Sequence, residues 1–196
     1  MWVYLDGEKV GRLKATDVEE LGLQRGAELD ATEEREVMRR GQVVEARETC
    51  LSLLARRSRS RTELLRRLKT RKIGREIAEV VIGELERLGL VDDREHAQAW
   101  ADQAMRSGRA GPGAIRARLR QQGVSAEVAR EATEAAMAGA DEEELARRMA
   151  EKRLRALSKV DAETRRRRLY DYLARRGFSH EAIRSAVQAL IPTDDD

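Results

Sequence analysis

The chain has 196 residues, with 39 lysines and arginines against 36 aspartates and glutamates and a formal net charge of +3. Hydrophobic residues at 41% suffice for a core, and charged residues at 38% exceed the usual quarter, which excludes a disordered polyelectrolyte and requires mostly wet helix faces. Only two tryptophans, three tyrosines and one phenylalanine argue against a ring-studded β-platform for bases, two prolines permit long helices, and one cysteine excludes an internal disulfide.

Residues 1–44 are read as a small acidic module. Val3-Tyr4-Leu5, Asp6-Gly7 and the segment from Lys9 to Leu13 fit a β-hairpin, because Asp-Gly accepts the positive φ angles of a tight turn. Thr16 to Glu19 begins a short helix, Leu23 to Leu29 forms a turn, and Asp30-Ala31-Thr32-Glu33 caps another helix.

From residue 45 the chain repeats itself. The segments from Thr62 to Ile73, Gly113 to Val124 and Arg167 to Phe178 each carry an aliphatic residue, another four later, and an apolar residue five after that. A period near fifty residues predicts tandem supersecondary units. Each unit reads as three helices. The first helices are expected over Glu45 to Arg57, Asp93 to Arg106 and Asp141 to Leu157, with Leu51, Leu54 and Ala55 as the buried stripe of the first. The aligned segments are the second helices. The third run from Arg75 to Leu88, Ser125 to Met137 and Ser179 to Leu190. Ser60 and Asp92 have capping-box spacing, and Ser125 and Ser179 are N-cap types. Pro112 suits a first helical position, and Gly89, Gly123 and Gly177 suit helix ends. The predicted fold class is mainly α: three tandem three-helix, helix–turn–helix-like repeats in an elongated curved array, behind a small N-terminal hairpin module. The predicted boundaries are 1–44, 45–92, 93–140 and 141–191, with an acidic tail at 192–196.

Charge is distributed unevenly over this plan. Residues 1–49 carry 8 basic and 12 acidic side chains, whereas residues 56–76 carry ten basic and two acidic. Residues 106–120 hold five arginines and no acid, and residues 147–176 hold twelve basic and four acidic groups. Arginine forks suit phosphate or a carboxylate surface, so the basic clusters predict nucleic-acid or acidic-protein contact; the alternative is an ordinary solvated helix face. On the second helices, Leu64, Leu65 and Leu68, Ile115 and Leu119, and Leu169 and Leu173 define the buried stripes. That turns Arg66 and Lys69, then Arg116, Arg118 and Arg120, then Arg167, Arg168 and Arg175 outward, and these eight are the candidate contacts with nucleic acid or a filament.

No catalytic site, cofactor or metal site is expected, because the chain shows no P-loop, no nucleophile–base set and no metal-ligand spacing. The glycine-rich run from Ser107 to Gly113 is read as an interhelix loop, the alternative being amides offered to one phosphate. His96 and His180 are read as packed or solvated, and Cys50 as a small buried hydrophobe. Tyr170, Tyr172 and Phe178 are read as core. No membrane span or secretory leader is expected, and cysteine usage points to a reducing cytoplasm.

Two stretches carry a family resemblance. Gly89-Leu90-Val91-Asp92-Asp93 running to Ala97 and Trp100, followed by Gly111-Pro112, Ile115, Leu119 and Gly123-Val124, is one. Arg168-Leu169-Tyr170-Asp171-Tyr172-Leu173-Ala174-Arg175-Arg176-Gly177-Phe178 is the other. With the Val-x-Leu-Asp-Gly hairpin, they resemble the RecX family of RecA regulators over roughly residues 1 to 191. His96 stands where that family usually has Tyr or Phe, and Trp100 replaces a commoner Phe. The resemblance implies three tandem helical repeats and a protein that binds the RecA–DNA filament. It also implies inhibition of strand exchange, ATPase and co-protease activities without chemistry of its own, in recombination, DNA repair and the SOS response. The implied partners are the RecA filament and single- and double-stranded DNA through phosphates, with no membrane, and a monomeric state is expected. The competing reading is a DNA-binding transcriptional regulator that uses the helix–turn–helix-like units.

Overall fold

The computed structural model describes residues 1–158 and 160–192; of Glu8, Lys9 and Val10 it describes the backbone alone. The predicted acidic tail lies, apart from Pro192, outside the described residues. Strands β1 (Trp2–Leu5) and β2 (Glu8–Arg12) pair antiparallel. Asp6 and Gly7 take φ angles of 49° and 82°, the two positive values that a tight hairpin turn needs. Trp2 stands opposite Arg12 and Val3 opposite Gly11, with an irregularity between Val3 and Tyr4. The Met1 amino group donates to the Leu13 carbonyl at 2.7 Å and closes the open end.

Helix α1 (Ala15–Glu20) follows, and α2 (Ala31–Leu54) begins on Asp30, whose carboxylate accepts from the amides of Thr32 and Glu33. The helix capped at Asp30 and the first repeat's leading helix, expected as two, are one continuous helix of 24 residues. No proline interrupts residues 31–54, and a single mid-helix glycine costs only about 1 kcal/mol. Gly41 is also where the hairpin lands: a Cβ on Gly11 would lie 3.4 Å from the Gly41 Cα. The buried residues of α2 are Val37, Gly41, Ala46 and Cys50. The expected stripe through Leu51 and Ala55 is therefore corrected. Leu51 is 41% exposed and Ala55 lies past the helix on the surface, because Ala46 and Cys50 turn the inward face away from them.

The first repeat is completed by α3 (Arg61–Thr70) and α4 (Arg75–Arg87), the second is α5 (Asp93–Ser107), α6 (Pro112–Gln121) and α7 (Ala126–Ala136), and the third is α8 (Glu142–Leu154), α9 (Ala162–Arg175) and α10 (His180–Leu190). The expected triplets are buried in every repeat: Leu64, Leu68 and Ile73; Ile115, Leu119 and Val124; Leu169, Leu173 and Phe178. Each anchors a separate core with its own third helix, through Val81, Ile82 and Leu85, through Ala129 and Ala132, and through Ile183, Ala186 and Val187. Burying one such aliphatic side chain stabilises by about 1.5–3 kcal/mol. The hydroxyls of Ser60, Ser125 and Ser179 accept from the amides of Glu63, Val128 and Ala182 as expected of N-caps. Pro112 opens α6. Cys50 is fully buried, and burial pushes its thiol up to about 11. His96 is buried beside Gln122, with Nε2 3.2 Å from the amide oxygen, and His180 pairs with the Tyr170 hydroxyl.

The chain forms two compact units, Met1–Asp92 and Asp93–Asp196. Within the second, repeats two and three meet backbone to backbone. The Gly111 amide donates to the Arg176 carbonyl at 2.6 Å, and the Gly113 amide donates to the Gly177 carbonyl at 2.8 Å. The orphan amides at the start of α6 thus satisfy the orphan carbonyls just past α9, and the two helix dipoles meet positive end to negative end. The Arg176 guanidinium adds a bond to the Arg109 carbonyl at 2.9 Å. Those amides are consumed, so the run from Ser107 to Gly113 is an interhelix junction, and its phosphate reading falls.

Candidate nucleic-acid interface

The second helix of each repeat buries one aliphatic stripe and turns its basic residues to solvent. Arg66 and Lys69 on α3, Arg118 and Arg120 on α6, and Arg167, Arg168 and Arg175 on α9 are exposed, while Arg116 is half-buried on the flank of α6. Among the described residues no carboxylate lies at ion-pair distance from Lys69, Arg116, Arg118, Arg120, Arg167, Arg168 or Arg175. Arg118 donates only to the Gln121 side-chain oxygen, at 3.3 Å.

The arginines elsewhere are mostly spent. Arg61 is bridged to Glu79 and, at 3.0 Å, to Glu86, and Arg47 is bridged to Glu84. Arg94 meets Glu131 at 2.5 Å, Arg130 meets Glu134 at 2.6 Å, and Arg147 meets Glu144 at 2.7 Å and Glu151 at 3.2 Å. The run from Arg165 to Arg168 divides the same way. Arg165 donates to the Val160 carbonyl at 2.8 Å and Arg166 to the Ile191 carbonyl at 3.1 Å, so both hold α9 to its surroundings. Their neighbours Arg167 and Arg168 face solvent. An arginine without a carboxylate keeps its full fork for a phosphate or an acidic partner.

Superposing the triplets shows which candidates share a place. Lys69 and Arg120 fall at one position, where repeat three has Ala174. Arg118 falls where repeat one has Arg67 and repeat three has Tyr172. Arg167 and Arg168 fall where the other repeats have Thr62 and Glu63, and Gly113 and Ala114. Repeats one and two therefore present cations along the second half of the helix, and repeat three along the first half and again at Arg175. The helical wheel missed Arg67, which is exposed with no carboxylate at ion-pair distance among the described residues; the repeat register, which pairs it with Arg118, was the signal that could have found it. Tyr172 is half-buried on its core and carries the guanidiniums of Arg153 and Arg176 5.6 and 5.2 Å from its ring centre.

The three-repeat plan has known counterparts. Family models for the first, second and third three-helix domains of RecX match residues 46–85, 92–132 and 141–187. The chain belongs to the RecX family. A regulatory protein RecX of Amycolatopsis mediterranei is 38% identical over 133 residues, covering 68% of this chain and 75% of that protein. A regulatory protein RecX of Thermobifida fusca is 39% identical over 152 residues, covering 74% and 80% respectively. The crystal structure of a regulatory protein RecX superposes with a TM-score of 0.70 at 24% identity, over 97% of this chain and 92% of that one, which shows the shared fold. The RecX models stop short of the hairpin and α1, so the N-terminal module stands outside the matched repeats. As a RecX-family chain it is regulatory in kind, and among the described residues no helix is long and apolar enough to cross a membrane.

Proposed function

We propose that this chain regulates RecA by binding the RecA–DNA filament and inhibiting strand exchange, ATP hydrolysis and co-protease action, as a cytoplasmic monomer without catalysis of its own. The observation that carries the reading is the set of second-helix cations without carboxylate partners, which recurs in all three repeats of a RecX-family chain. A filament offers repeated phosphates and repeated protein surface, and tandem units gain from it through effective concentration. The working division is an accessory module at 1–44 and contact repeats at 45–92, 93–140 and 141–191. DNA, single- or double-stranded, is met through phosphates, which contribute affinity without reading sequence.

The test is RecA ATPase on single-stranded DNA with and without this protein. A decline that saturates with added protein is the expected result. Unchanged ATPase at saturating protein, together with preference for one duplex sequence, would replace this reading with a transcriptional regulator that reads base edges.

A further inference from the structure

The N-terminal module carries exposed rings that the repeats lack. On β1, Trp2 is 49% and Tyr4 58% exposed, while Val3 and Leu5 between and after them are half-buried. Residues two apart on a strand share a face and stand about 6.6–6.8 Å apart, a spacing that adjacent stacked bases can follow. Trp2 borders a cleft of about 580 Å³ whose walls are the hairpin, α2 and α3. Four guanidiniums line it, from Arg12, Arg56, Arg67 and Arg71, against the two carboxylates of Glu45 and Glu48. Arg12 is bridged to Glu48 at 2.8 Å and Arg71 to Glu45 at 3.4 Å. Arg56, just past the end of α2, and Arg67, on α3, are exposed, and among the described residues neither has a carboxylate at ion-pair distance. The Arg12 guanidinium lies 5.6 Å from the Trp2 ring centre and ties that ring to the rim.

We propose that this cleft binds a short stretch of single-stranded nucleic acid, with the adjoining phosphate between Arg56 and Arg67, one base on Trp2 at the rim and the next on Tyr4, which stands outside the cleft two residues along the strand. The combination selects the ligand. Two guanidiniums without partners call for an anion. Exposed flat rings beside them call for something flat attached to that anion, which a nucleotide chain supplies and an acidic peptide does not. A duplex keeps its bases stacked inside and cannot use the rings. This rests on the reading that the protein works on DNA-loaded filaments, and it adds a strand-binding site where the hairpin, which the RecX repeat models leave uncovered, meets the first repeat, which supplies Arg56 and Arg67.

The test uses the full chain and fluorescence anisotropy of labelled oligothymidylate and of a duplex of equal length, without RecA. Trp2→Ala is expected to weaken oligothymidylate binding by about fivefold or more, the range of one lost base–aromatic stack. Trp2→Phe is expected to restore most of it, and duplex binding is expected to move little in either variant. The pair Arg56→Glu with Arg67→Glu is expected to lose far more affinity than a charge-matched control, Arg106→Glu with Arg184→Glu, with circular dichroism confirming fold in each. Trp2→Ala binding oligothymidylate like the parent, or the cleft reversal matching its control, overturns the site. Polyglutamate displacing the labelled strand as well as unlabelled oligothymidylate does overturns it in favour of an acidic peptide. Because RecA is absent, loss of RecA inhibition elsewhere would sink the filament reading and leave this result standing.

Discussion

Gly177 lies so close to Ala114 that a Cβ on residue 177 would sit 2.1 Å from the Ala114 amide nitrogen and 2.7 Å from its Cβ. Gly177 also holds a φ of 80° just past α9, in the left-handed region where a side chain is strained. Two independent requirements meet at one residue: the left-handed turn that ends α9 and the close approach of repeat two. Gly177→Ala is expected to destabilise the second unit by more than about 3 kcal/mol, the range reserved for steric and backbone conflicts together. Urea unfolding followed by circular dichroism checks it, and a loss under about 1 kcal/mol would mean that the junction yields.

The equivalent position in repeat one predicts a substitution effect of the opposite sign. Lys72 occupies it at a φ of 61°, paying for a left-handed residue with a side chain attached. Lys72→Gly is expected to leave the fold intact and to stabilise it by up to about 1 kcal/mol, since the left-handed penalty for a side chain is about 1–2 kcal/mol and glycine gives part of it back in chain entropy. A thermal melt of the variant settles the sign.

The Arg40 guanidinium binds α1 to α2 by meeting Asp17 at 3.1 Å, Glu20 at 2.7 Å and Glu36 at 3.0 Å. Hydrogen bonds from Arg39 and then Arg40 hold the Glu36 carboxyl at about 2, well below the ordinary 4.5. A depressed carboxyl stabilises the fold above its unfolded value and loses that contribution as pH falls through the folded value. The contribution is therefore intact near pH 5 and fades between about 4.5 and 2. Glu36→Gln is expected to flatten that part of the stability profile relative to the parent. Parallel urea titrations at several acid pH values check it, and identical slopes would show that the clamp does not depend on this charge.

Reversing Arg167, Arg168 and Arg175 to Glu is expected to weaken both DNA binding and RecA inhibition while changing the unfolding free energy by no more than the about 0.5 kcal/mol typical of surface changes. For single strands each lost phosphate contact should also make the slope of log affinity against log salt shallower by about 0.7. Reversal of the structural pair Arg165 and Arg166 is expected to do the reverse, costing stability because their carbonyl partners at Val160 and Ile191 lose donors. Equal effects on stability from both sets would erase the distinction between outward and structural arginines.

Much of the fold was legible because its signals are local. Leu64, Leu68 and Ile73 recur as Ile115, Leu119 and Val124 and as Leu169, Leu173 and Phe178, and a spacing of four then five places all three on one helix face and the turn that follows. Ser60, Ser125 and Ser179 cap helices through their own next residues, and Asp6-Gly7 turns by its own φ preferences, so neither depends on distant chain. The exposure of seven of the eight candidate contact residues followed from the same periodicity.

What only the tertiary structure decided depends on residues far apart in sequence. Two predicted helices became the single α2 because the hairpin packs at Gly41 and the first core at Ala46 and Cys50, giving one helix two successive partners and exposing Leu51. Arg165 and Arg166 were separated from Arg167 and Arg168 by carbonyls at Val160 and Ile191 that no local pattern announces. A low aromatic count pointed away from a base-stacking face, yet Trp2 and Tyr4 stand exposed on one strand, because composition counts rings and packing decides which remain in water. Local spacing sets which side of an element turns inward; only the approach of another element determines what that side meets and which charges are left without a partner.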